Sequence, residues 1–241
     1  MIKRIFDILC AVVGLLLISP VVVPVMFLVW WEDKHSPFYV APRVGRGGRP
    51  FRMVKLRSMV INADRIGATS TKADDRRITP VGHFIRRYKL DELTQLWNVL
   101  RGDMSMVGPR PQVQSGVDLY TPLERDLLKV RPGITDFASI VFADEGDILA
   151  GHPDPDAGYN ALIRPGKSEL GLYYVQHHSL AVDLALVRLT LQTIVSRDKA
   201  LAEVQRLLQR MGAPAHLVAL AGRREPLRPG LPPGAEAPNA T

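Results

Sequence analysis

"LLLISPVVVPVM", residues 15–26, occupies the middle of an apolar run that begins at Ile8 and ends at Trp31. Written as an α-helix at ~1.5 Å per residue, that run measures roughly 36 Å, more than the ~30 Å hydrocarbon core of a bilayer. Its centre nevertheless carries Ser19-Pro20, and Pro24 follows one turn later. Proline has no N–H, and its ring crowds the carbonyl one turn back, so a straight helix through it is costly. Lipid offers no water to the freed carbonyls. The Ser19 hydroxyl can bond back into the preceding turn, as serine does in bent membrane helices. Two geometries meet these constraints. One is a kinked helix that crosses the bilayer; the other is a helix–break–helix hairpin that enters and leaves by the same face.

Charge on the flanks bears on the choice. Lys3 and Arg4 precede the run, and Lys34, Arg43, Arg46, Arg49, Arg52, Lys55 and Arg57 follow it. Lysine and arginine favour the cytosolic side, and only the hairpin places both flanks there. A crossing helix with the first few residues outside stays open on these grounds. Either geometry leaves the large basic part of the chain in the cytosol. A cleaved signal peptide does not fit, because the run exceeds ~7–15 residues and no small-x-small site precedes Trp30-Trp31. The tryptophan pair suits the headgroup level. Cys10, the single cysteine, lies within the run, so nothing points to an oxidising compartment.

The chain has 241 residues, 46% hydrophobic and 23% charged, enough for one domain of roughly 150–170 residues with appendages. A net charge of +7 calls for an anionic partner: nucleic acid, an anionic membrane surface or a phosphorylated substrate. Residues 36–58 contain two strand-like pieces, "FYV" and "FRMVKLR". Residues 59–100 read as helical, with a polar interruption at "TSTKADDRRITP", and 101–170 as loop-rich. Residues 178–197 form a strongly apolar helix. Beyond 198, Leu201, Val204, Leu207, Leu208 and Met211 fall at helical spacing. After Pro226 too little is apolar to fold, so disorder is expected. The expected fold class is α/β in the broad sense (α+β, mostly helical), divided into a membrane segment 1–35, a catalytic unit 36–197 and an extension 198–241.

"KLDELTQLWNVLRGDMSMVGPRP", residues 89–111, carries the chemistry. Leu93, Leu96, Trp97 and Leu100 mark one apolar helix face, which puts Asp91 and Glu92 in the first turn. Acids there also suit a helix dipole or an N-cap, with no functional meaning. The neighbours weigh against that plain reading. His83, Arg86, Arg87 and Lys89 stand just before the acids, and Arg110 is locked between Pro109 and Pro111. A planar guanidinium on a stiff loop suits bidentate phosphate binding. "KVRPGIT", residues 129–135, repeats the device at Arg131.

"FRMVKLRSM", "DDRRITPVGHFIRRYKLDELTQLWNVLRGDMSMVGPRP" and "KVRPGIT" together resemble the bacterial polyprenyl-phosphate phosphoglycosyl transferases of the monotopic type, over residues 3 to 197. The resemblance implies transfer of a phospho-sugar from a UDP-sugar to polyprenyl (undecaprenyl) phosphate, with UMP released, at the cytosolic face of the bacterial inner membrane. It makes this the first membrane step of glycan assembly and implies no nucleic-acid partner; homo-oligomerisation is left open. It implies the re-entrant hairpin, broken at Ser19-Pro20. It makes Asp91 the nucleophile and a ligand of Mg²⁺, with Glu92 beside it reaching the same metal or the acceptor phosphate. Lys55, Arg86, Arg110 and Arg131 become the phosphate clamps.

Some features depart from the family pattern. Thr94 stands where relatives often have proline, and "FASIVFADEGDILAGHPDPD" differs from their usual sequence, so the sugar stays unnamed. Asp183 matches an acid of the last apolar helix. "DEGD", residues 144–147, reads as a solvated acidic loop before a divalent-ion site, and His177-His178 has no metal-ligand spacing. A non-catalytic, membrane-anchored basic adaptor is the alternative from another class, and a transferase without a covalent step is the alternative mechanism.

Overall fold

The structure, a computed structural model, describes residues 1–63, 66, 75–150 and 152–235. Helix α1 (Ile2–Asp33) is one element, with Pro20 and Pro24 inside it. The two separate helices expected around Ser19-Pro20 are therefore not seen as such. A local reason is visible. Pro20 cannot serve the carbonyl of Leu16, and the Ser19 hydroxyl donates to that carbonyl instead, at 2.9 Å.

Helix α1 lies along the rest of the protein. Near its start, Arg4 donates to the carbonyls of Val99 and Leu100 at 2.5 and 2.7 Å. Buried Asp7 accepts from the Ser105 hydroxyl and the Met106 amide, both at 2.9 Å. Its middle packs Ala11, Leu15 and Ile18 on Leu96, Val99 and Met104, and Val25 and Val29 on Leu56, Ile85 and Leu90. At its end Asp33 pairs with Arg57 at 2.5 and 2.7 Å. The opposite face exposes Leu9, Val13, Leu17, Val23, Phe27 and Trp31.

After α1, strands β1 (Phe38–Val44) and β2 (Pro50–Leu56) form an antiparallel hairpin that pairs Tyr39 with Lys55 and Arg43 with Phe51. Both strands match the extended pieces read in the sequence. Of the polar interruption at 69–80, residues 69–74 lie outside the described residues. Helices α2 (Pro80–Arg87), α3 (Leu90–Leu93) and α4 (Leu96–Arg101) follow. The single helix expected over 89–100 is split at Thr94, whose hydroxyl donates to the carbonyls of Asp91 and Val54 at 3.2 Å each. Such side-chain bonds compete with the helix ladder. Trp97, on the apolar face read in the sequence, is 52% exposed.

Strand β3 (Ser105–Val107) pairs in parallel with β4 (Gly133–Thr135), with α5 (Gln114–Asp118) between them in sequence. The backbones of Gly108 and Gly133 touch so closely that a Cβ on Gly133 would lie 2.1 Å from the Gly108 nitrogen. Helices α6 (Phe137–Val141), α7 (Glu145–Ile148), α8 (Pro155–Gly158), α9 (Arg164–His177), α10 (Leu180–Val195), α11 (Arg197–Arg210) and α12 (Ala215–Gly222) complete the chain.

Phe137, Leu170, Tyr174, Leu186 and Leu189 share one core with Leu201, Val204 and Leu208 of α11, so the first part of the extension is integral to the fold. Helix α10 is two-faced. Val182, Leu186 and Leu189 are buried, whereas Leu184, Leu191, Ile194 and Val195 are exposed. Residues 226–235 have no regular element, yet Leu227 packs on the core; 236–241, the rest of the stretch expected to be disordered, lie outside the described residues.

Candidate active site

Asp91 and Glu92 sit on the single turn of α3, behind Lys89, which takes a left-handed conformation at φ 55°. The hairpin brings Lys55 to them. Buried Asn98 accepts from the Val54 amide at 2.9 Å and donates to the Arg52 carbonyl at 2.7 Å, which fixes β2 against α4. The Lys55 ammonium then lies 3.8 Å from Asp91. Arg110 donates to Glu92 at 2.7 Å. Its loop is pinned on both sides: the Gly133 amide bonds to the Pro109 carbonyl at 3.0 Å, and the Val44 amide to the Gln112 carbonyl at 2.9 Å. Arg86 reaches the same zone from α2 and donates to the Ser58 hydroxyl at 3.0 Å.

The two acids differ in state. Burial raises the Asp91 carboxyl above its ordinary range; Lys55 works against that, and neighbouring Glu92 adds to it. Burial also pushes on Glu92, but Arg110 and Lys55 outweigh it and hold its carboxyl at about 2. Burial, with Arg110 close by, lowers Lys55 to about 8 against the pull of Asp91 and Glu92. Burial lowers Arg43 too, and Arg110 adds to this. Cations therefore crowd one another here, beyond what two carboxylates neutralise. Such a cluster attracts a polyanion.

The sequence profile of the bacterial sugar transferases matches residues 1–197. This chain belongs to the bacterial sugar transferase family. It is 34% identical over 207 residues to the exopolysaccharide production protein ExoY of Sinorhizobium fredii, across 80% of this chain and 84% of that one. It is 36% identical over 201 residues to the UDP-N-acetylgalactosamine-undecaprenyl-phosphate N-acetylgalactosaminephosphotransferase of Aeromonas hydrophila, across 81% of this chain but 44% of that one. Over 111 residues it is 48% identical to a putative undecaprenyl-phosphate N-acetylgalactosaminyl 1-phosphate transferase of Bacillus subtilis, across 46% of this chain and 62% of that one. The chain thus spans less than half the length of the Aeromonas relative.

Within this sugar transferase, Asp91, Glu92, Lys55, Arg86 and Arg110 come together. Arg131 does not join them. Its guanidinium donates to the Gly102 carbonyl at 2.9 Å and makes no ion pair with either acid. Arg43 is the residue that sequence reasoning passed over as a site residue. It shares a hairpin face with Lys55, a placement that the period of two along β1 and β2 could have signalled. Asp183 accepts from Lys3 at 2.5 Å and from the Tyr174 hydroxyl at 2.6 Å, so it holds the start of α1.

Behind Arg110 opens a shallow recess, continuous with solvent, whose walls include Tyr120, Asp136, Tyr159, Asn160 and Lys167. Lys167 pairs with Glu145. Asp144 pairs with Arg197 at 2.9 Å and Arg223 at 3.2 Å. These two acids of "DEGD" are thus tied into ion pairs, unlike the solvated loop expected.

Among the described residues no group of three or more His, Cys, Asp or Glu could hold a metal. Mg²⁺ seldom needs such a cage, because it keeps several waters and takes one or two carboxylates together with substrate phosphates. The Asp91 carboxylate fits that use. Among the described residues it accepts no hydrogen bond, and its nearest cation stands at 3.8 Å.

Proposed function

We propose that the protein transfers a phospho-sugar from a UDP-sugar to polyprenyl phosphate through a covalent intermediate on Asp91. The observation that carries this reading is a partly buried carboxylate that accepts no hydrogen bond among the described residues, held among Lys55, Arg86 and Arg110 beside an apolar helix. An Asp91 oxygen attacks the β-phosphorus of the donor. The bond from that phosphorus to the bridging oxygen breaks, and UMP leaves with the electron pair. An oxygen of the acceptor phosphate then attacks the acyl phosphate, which restores the carboxylate and yields polyprenyl-diphospho-sugar. Two steps let one anchored group serve a soluble and a lipid substrate in turn. Burial strips water from Asp91 and makes it a better nucleophile.

Glu92, held anionic by Arg110, orients that guanidinium for bidentate phosphate contact. Lys55 and Arg86 add charge against the diphosphate. Mg²⁺, when bound, neutralises donor phosphate oxygens, and Asp91 is the residue that would hold it. Mass spectrometry of enzyme mixed with donor alone tests the covalent step: a phospho-sugar adduct on the Asp91 peptide is expected.

Lys55 gives the reaction a basic limb. Below about pH 8 its ammonium is present in the free enzyme; as pH rises through that value the cation is lost. kcat/KM for the donor is expected to fall in that range, since this parameter reports free-enzyme groups. Lys55→Arg is expected to move the limb above pH ~10, because a guanidinium keeps its proton. An unmoved limb would remove Lys55 from the clamp.

The way α1 is held bears on the membrane arrangement. Lys3, Arg4 and Asp7 at one end and Asp33 at the other all dock on the same domain. A helix crossing the bilayer would separate its ends by ~30 Å of hydrocarbon. The docking supports a re-entrant segment (1–35), bent at Ser19-Pro20, that seats the catalytic unit (36–197) on the cytosolic leaflet of the inner membrane. The exposed apolar face of α10 and Trp97 suit the same interface. In a Cys10→Ser background, cysteines placed at Ile2 and Ser36 are expected to react only from the cytosolic side. Opposite accessibility would establish a crossing helix.

A further inference from the structure

We infer that residues 226–235 act as a strap that positions the walls of the recess behind Arg110, so that the C-terminal extension sets how the UDP-sugar donor is held. This rests on the reading of Asp91 and Arg110 as the donor's phosphate site. One wall carries Tyr120 and the facing wall Tyr159 and Asn160. An inner tie joins them: Arg164 donates to the Leu119 carbonyl at 2.5 Å and pairs with buried Glu124 at 2.6 Å.

The strap adds an outer tie across the same gap. The Gly230 amide donates to the carbonyl of Ala161, next to Asn160, at 2.9 Å. Three residues on, the Pro233 carbonyl accepts from the hydroxyl of Thr121, next to Tyr120, at 2.5 Å. Pro226, Pro229, Pro232 and Pro233 restrict the backbone between and around these points. Gly234, at φ +77°, closes the turn where a Cβ would stand 3.1 Å from that of Leu123.

The strap is anchored where it starts. Leu227 packs on the core. Arg223, at the end of α12, pairs with Asp144, the residue before Glu145 and therefore next to the partner of Lys167. The extension thus touches three segments that frame the recess. The recess is lined by the aromatic side chains of Tyr120 and Tyr159 and by the cations of Arg110 and Lys167. That chemistry suits a nucleoside diphosphate sugar extending away from the reacting phosphorus. All of the strap lies beyond residue 197, the last one matched by the family profile.

The test measures UMP release against donor and acceptor concentration for the full chain, for a chain ending at Glu225, and for Gly230→Pro, which removes the N–H that reaches Ala161. The shortened chain is expected to raise the donor KM about tenfold, and Gly230→Pro about three- to tenfold. kcat and the acceptor KM are expected to stay within about twofold, since Asp91 and the membrane face are untouched. Should the shortened chain fail to fold, Gly230→Pro decides alone. An unchanged donor KM in Gly230→Pro, or donor and acceptor KM rising together, would overturn the strap while the phosphotransfer reading stood. No UMP release from any UDP-sugar by the full chain would overturn both.

Discussion

Asp91→Asn is expected to lower UMP release by on the order of 10³-fold or more, with no loss of thermal stability. The amide keeps the shape of the carboxylate and removes both the oxygen proposed to attack the donor and the charge. Stability is the discriminating half of the result. Because burial raises the Asp91 carboxyl, its charged form is disfavoured in the folded state. That penalty is present at neutral pH and disappears as pH falls through the folded pKa. A neutral amide relieves it, so the variant should melt no lower than the parent at pH 7. The adduct on the Asp91 peptide should vanish with the activity. Full-rate lipid loading by this variant would sink the covalent mechanism on Asp91. Product formation by the parent without any adduct would point instead to direct transfer between bound substrates.

Arg110→Ala is expected to lower kcat/KM for the donor by about 10²–10³-fold and also to destabilise the protein. Two effects coincide at one side chain. The guanidinium fork is lost from the proposed phosphate site, and Glu92, partly buried, is left without its partner. The stability effect has a sign in pH. Arg110 and Lys55 hold Glu92 near 2, from its ordinary 4.5, against burial. The resulting stabilisation is fully present above pH ~4.5 and is lost as pH falls toward 2. The gap in melting temperature between parent and variant should therefore be widest at neutral pH and narrow in acid. Arg110→Lys should recover part of the stability but little of the rate, because an ammonium cannot make two parallel bonds to a phosphate. Rate recovery by lysine would reduce Arg110 to a point charge.

The residues that sequence reading located most directly are those whose meaning is local. Apolar length and flanking charge mark α1 as a membrane segment. Proline on either side of Arg110 stiffens its loop whatever surrounds it, and the acid pair stands beside cations within a single stretch, 83–92. Ser19 answers Pro20 from the adjacent position, through a bond back to Leu16. Each of these follows from backbone chemistry within a turn or two of the residue concerned.

Packing settled the rest. Arg43 enters the site because β1 pairs with β2 in one register, and a slip of one residue would turn it to the other face. Arg131, in the same local Arg-Pro setting as Arg110, is instead taken up by the Gly102 carbonyl. Lys3 meets Asp183 across 180 residues of chain, and the Pro233 carbonyl meets Thr121 across 112. Two arginines that each precede a proline can thus differ in placement, because contacts between distant segments depend on how whole elements dock, and local composition carries no record of that docking.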